Sequence, residues 1–239
     1  MAADGSQRQI ADPTIAQALD RYLAAEQKRL KPRTYARYAD VIELLTHSLN
    51  SYGPNCIDPT ELDHYEQAGY DIEAEDPPFC EVFGPAVIPD HLSEFLNYFL
   101  PRKVAAGEDF LKTAGTVTRK LSRWLAEQGY VDQVEARLAE DTGATASRDL
   151  PAARRLVECL QAPTSAAPVR DDGIEGYFEV RRVEAGRLWL VDFLDGRDYG
   201  PVDVTQDASA LCRAGWQIAG ALAPHGQGYR LMDAYNVYT

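Results

Sequence analysis

Apolar positions recur at helical spacing over residues 14–49 and set out two helices. Ile15, Ala18, Leu19, Tyr22 and Leu23 share one stripe, with Asp20, Arg21 and Glu26 off it, and Thr14 is placed to cap the start. Pro32 disfavours helical geometry at Lys31, so the first helix should stop near Leu30. The second can begin there, since proline is tolerated in a first turn, and Tyr35, Tyr38, Ile42, Leu45 and Leu49 mark its inward face. Leu92, Phe95, Leu96, Phe99 and Leu100 form a third stripe, which Pro101 ends or kinks. Residues 107–129 then predict a long helix with Leu111, Ala114, Val117, Leu121, Trp124 and Leu125 inward and Gly129 closing it. Shorter helices are predicted near 131–140 and 149–161.

From Gly173 the period shortens. Residues 177–180, 188–193, 202–204, 216–218 and 229–232 read as short strands, separated by Ala185-Gly186, Asp195-Gly196, Ala214-Gly215 and His225-Gly226 turns. Residues 208–212 predict a short helical turn, and residues 235–238 are apolar enough to pair as a final strand. So many short strands in so short a stretch predict a small closed barrel, SH3-like or OB-like. The expected class is therefore α+β, an all-α N-terminal domain followed by a small C-terminal β-barrel. Residues 1–13 form a polar lead expected to be disordered, and residues 14–161 a helical domain with an acidic, proline-rich insertion at 51–89. Residues 162–172, with two prolines, form a linker, and residues 173–239 the barrel. Inside the insertion, Asp58-Pro59-Thr60-Glu61 has a cap, a first-turn proline and a box glutamate in register, which predicts a short helix to about Ala68.

Composition changes this picture in one respect. The net charge is −13, and residues 51–100 alone carry eleven acids without a lysine or arginine. The acidic total thus leaves room for a basic surface elsewhere. Lys28, Arg29, Lys31, Arg33 and Arg37 cluster at the first helix junction, and Arg119, Lys120 and Arg123 lie largely on the outward side of the long helix. The insertion is expected to fold back near these cations and weaken their attraction to phosphate. No apolar run is long enough to span a bilayer, and the first residues lack the apolar region of a signal peptide, so no membrane partner and a cytoplasmic location are expected. Cys56, Cys80, Cys159 and Cys212 have no close spacing, which fits reduced thiols.

The runs Thr14-Ile15, Ala18-Leu19-Asp20-Arg21-Tyr22-Leu23, Lys31-Pro32-Arg33-Thr34-Tyr35 and Tyr38 resemble the start of the core-binding domain of tyrosine recombinases, the phage integrases. Residues 116–130 resemble that domain's last long helix, which ends in a similar aromatic, leucine and glycine pattern. The similarity covers about half the chain and is interrupted by the acidic insertion. It implies a helical domain that clasps one side of duplex DNA, which makes double-stranded DNA the expected partner and the eight cations named above the expected phosphate contacts. It implies no catalysis here. None of His47, His64, His91 or His225 has arginine three residues on, and the barrel that follows is too short for the recombinase catalytic domain.

Other chemistry finds no support in the sequence. Cys56, His64, Cys80 and His91 match no zinc spacing, and no phosphate-binding glycine loop or nucleophile elbow occurs. Asp192, Asp195 and Asp198 are explained by turn formation. No catalytic residue, metal or cofactor is therefore assigned, and the chain is not expected to be an enzyme. A non-catalytic DNA-associated protein with an accessory barrel is the first expectation. A protein-interaction adaptor using the acidic insertion and the barrel is the alternative.

Overall fold

A computed structural model describes residues 11–56, 77–161 and 173–239. Helices come first and a closed barrel of five strands follows, so the chain is α+β. By compactness it divides into two units: Met1–Leu96 with Thr113–Thr145, and Asn97–Lys112 with Ala146–Thr239. The expected linker at 162–172 lies outside the described residues, as does the short helix expected after Asp58. Residues 146–161, read from sequence as part of the helical domain, are grouped with the barrel.

In the first unit, helix α1 (Ile15–Arg29) starts from a capping box: Thr14 Oγ1 accepts from Gln17 N–H at 3.2 Å, and Gln17 Oε1 accepts from Thr14 N–H at 3.1 Å. Its stripe of Ile15, Ala18, Leu19 and Tyr22 is fully buried. Leu30 and Lys31 are extended, as the following proline requires, and α2 (Pro32–Tyr52) begins on Pro32. Tyr38, Val41, Ile42, Leu45 and Leu49 are buried on α2, while Tyr35 is only half-buried. A single turn, α3 (Phe79–Val82), stacks Phe79 on Phe83 with ring centres 4.1 Å apart. Gly53 makes room for this, because a Cβ there would lie 2.7 Å from the Phe79 ring.

Helix α4 (Ile88–Glu94) runs through a π-helical stretch, Phe95–Phe99, into one more turn, α5 (Leu100–Lys103). The π turn admits Pro101 where a regular helix would need its missing N–H. Helix α6 (Glu108–Glu127) ends at Gly129, where φ is 75° and Tyr130 N–H donates to Leu125 O at 2.9 Å. Trp124 is half-buried, edge-on to Tyr22 and Tyr130 at 5.6 and 5.9 Å.

The two short helices predicted near 131–140 and 149–161 are one helix, α7 (Gln133–Gln161), with Pro151 inside it. Asp132 Oδ1 caps its start by accepting from Val134 and Glu135 N–H at 2.6 and 2.9 Å. Gly143, which falls between the two predicted helices, is where α7 meets the backbone of α6. Tertiary packing here overrides local propensity.

In the second unit, strands β1 (Ile174–Glu184), β2 (Arg187–Asp192), β3 (Asp198–Asp203), β4 (Gln217–His225) and β5 (Gly228–Tyr238) close in the order β1-β2-β3-β5-β4. Pairing is antiparallel except between β3 and β5, where Val202 and Asp203 run parallel to Tyr229 and Arg230. A short helix, α8 (Gln206–Leu211), capped by Thr205, connects β3 to β4. This Greek-key closure is OB-type, one of the two forms expected. The predicted final strand at 235–238 is the far end of β5. Phe178, Val180, Leu188, Leu190, Val202, Ile218, Leu222, Leu231 and Val237 fill the barrel, and Ala153, Leu156, Val157 and Leu160 of α7 belong to the same buried cluster.

Candidate nucleic-acid interface

Four of the expected cations meet at the α1–α2 junction because the chain leaves one helix and enters the next within two residues. Lys28 and Arg29 occupy the last turn of α1, where a cation complements the helix dipole. Arg29 is also neutralised: its guanidinium pairs with Glu26, a carboxylate that is itself buried, and that hydrogen bond raises the Arg29 pKa. Neither explanation extends to Lys31 and Arg33. Lys31 is the N-cap of α2 and gives it no side-chain hydrogen bond, and Arg33 is in the first turn. Both are exposed at the positive end of a helix dipole, where cations are destabilising. Arg37, one turn on, is half-buried. Among the described residues no carboxylate forms an ion pair with Lys28, Lys31, Arg33 or Arg37.

The cations of α6 divide. Arg119 is exposed, with no ion pair among the described residues. Arg123 is exposed but bound to Glu140 of α7 at 2.5 Å, which raises its pKa. Lys120 does not point outward as expected. It is half-buried, donates to Tyr38 Oη at 2.7 Å and lies 5.3 Å from the centre of that ring. Its ammonium ties α6 to α2, so its removal affects packing as well as charge.

The titratable groups considered for other chemistry are committed elsewhere. The Cys80 thiol donates weakly to Thr46 O at 3.8 Å, and burial pushes its pKa up to about 12, as it does for Cys212. Neither is a ready nucleophile. His91 is buried against Phe79, and burial lowers its pKa. The Cys56 side chain, His64 and most of the acidic insertion lie outside the described residues. Among the described residues no three His, Cys, Asp or Glu side chains are grouped to hold a metal ion, and no helix is long and apolar enough to cross a membrane.

No protein-family model, curated protein or solved structure matches this chain.

Proposed function

We propose a non-catalytic, DNA-associated role in which the helical unit contacts duplex phosphates around the start of α2, with the barrel as an accessory module. The observation that carries this reading is the placement of Lys31 and Arg33. Two exposed cations stand at an uncapped helix N-terminus, where they oppose the dipole in the free protein. A phosphate placed there removes the conflict, because it suits the positive end of the dipole and pairs with both side chains, although Pro32 has no N–H to give and Thr34 N–H already donates to Lys31 O at 2.9 Å. Lys28 and Arg37 on the adjoining turns extend the same surface, and Arg119 is the α6 residue best able to add to it.

Affinity for a duplex should fall with salt, each phosphate contact adding about 0.9 to the logarithmic slope. Lys31→Asp with Arg33→Glu is expected to flatten that slope by about 1.8, read by fluorescence anisotropy from roughly 50 to 200 mM salt. A wild-type chain that ignores duplex DNA at the lowest salt defeats the reading.

A second result separates function from stability. Lys31→Asp alone supplies the missing cap and suits the dipole, so it should stabilise the helical unit by about 1 kcal/mol while weakening DNA binding. A urea midpoint that falls instead would show that Lys31 supports the fold.

A further inference from the structure

Two large apolar side chains stand side by side in water at the β2–β3 turn: Phe193 is 61% exposed and Leu194 is 84% exposed. The turn that holds them is fixed. Asp192 Oδ1 accepts from Leu194 N–H at 2.7 Å and from Asp195 N–H at 3.4 Å, Gly196 N–H donates to Asp192 O at 3.0 Å, and Gly196 takes the φ of 71° that closes the loop. Phe193 N–H donates to Tyr177 O at 2.8 Å, which sets the turn beside Tyr177, an exposed aromatic of β1. Apolar side chains held outward by a hydrogen-bonded turn contribute nothing to the barrel core, and aromatic anchors of this kind mark interaction surfaces.

Acids outnumber bases around them. Asp195 and Asp198 are exposed on the turn, and Glu175 and Glu179 flank Tyr177 along β1. Two arginines lie among them, Arg197, drawn to Tyr199 and Asp195, and Arg181, paired with Glu179 at 3.2 Å, so the acidity of the rim rests on Asp198 and Glu175. We propose that Tyr177, Phe193 and Leu194 form a docking surface for a protein segment that presents apolar side chains flanked by lysine or arginine. Apolar contact supplies the anchor and the acidic rim selects the sign of the partner. The same rim opposes a second copy of itself and an anionic lipid surface. This inference is independent of the DNA reading, because it uses none of the helical cations.

The test uses the full chain and two synthetic amphipathic peptides with the same leucine pattern, one with lysine and one with glutamate at the polar positions. The lysine peptide should bind at least about tenfold more tightly than the glutamate peptide, and Phe193→Ser with Leu194→Ser should remove that binding without changing net charge. Asp195→Asn, which keeps an acceptor for Arg197 N–H at 2.9 Å, with Asp198→Lys leaves the apolar anchor in place and should abolish the preference for lysine. Thermal unfolding of each variant confirms the barrel. Undiminished binding by the Phe193→Ser, Leu194→Ser variant overturns the proposal, as does equal binding of both peptides or of neither. Concentration-dependent self-association, or binding to vesicles of neutral phospholipid, that is lost in the serine variant also overturns it and identifies the other occupant.

Discussion

Replacing Leu156 by alanine is expected to cost about 2–5 kcal/mol and to lower the unfolding midpoint of the unit that contains the barrel. Leu156 lies on α7, a helix whose amphipathic pattern would by itself place it in a bundle. It is fully buried, in one cluster with Phe178, Leu188, Ile218 and Val237 of the barrel. Ala153, Val157 and Leu160 share that cluster, and Gln161 Nε2 donates to Ala234 O of β5 at 2.8 Å. Truncating Leu156 therefore opens a cavity in a core to which both helix and strands contribute, and close-packed neighbours relax only partly into it. Urea unfolding followed by hydrogen exchange at the β4 amides measures the effect, and a change below about 1 kcal/mol would mean that the helix only rests on the barrel. The stronger version removes the helix. A fragment of residues 173–239 loses all four α7 side chains at once and is expected to show no cooperative transition. A sharp transition from that fragment would show that the strands close a sufficient core alone.

The sequence places the boundary after Gln161, whereas residues 146–161 group with the barrel, and the reason is physical. Periodicity reports which face of a segment is apolar but not what covers it. The proline-bearing stretch after Gln161 reads as a boundary because composition changes there, yet the buried side chains of residues 153–160 belong with the strands beyond it. Features set by local chemistry were legible. Thr14 caps α1, Pro32 starts α2, and glycines at 186, 196, 215 and 226 take the positive φ angles that close the barrel's turns. The exposed cations at the start of α2 were equally legible, since Lys31 precedes a first-turn proline. Lys120 was not, because the Tyr38 hydroxyl that holds it is 82 residues away. Phe193 reads as the last residue of a strand at 188–193, whereas β2 ends at Asp192 and Phe193 belongs to the turn with Leu194. Only the closing of the turn at Gly196 places them in water.

Gly143→Ala is expected to destabilise the helical unit by about 1–3 kcal/mol, as overpacking typically does, against the sign that helix propensity predicts. In a helix interior alanine is normally favoured over glycine by about 1 kcal/mol, so an isolated α7 would gain from the change. In the folded unit an added Cβ would lie 2.7 Å from Arg119 N and 2.8 Å from Gly115 O, both backbone atoms of α6. Backbone cannot rotate away as a side chain can, so the two helices must separate. Separation disturbs the contacts around the crossing: the Arg123 to Glu140 ion pair on its exposed side, and the buried Thr118 and Ser122 beside it. Circular dichroism during urea unfolding reads the sign directly. A lowered midpoint supports a close helix crossing at Gly143, and a larger residue such as valine should lower it further. A raised midpoint would mean that propensity alone governs this position. The crossing would then be too loose to explain why α7 runs unbroken through a stretch that reads as two short helices.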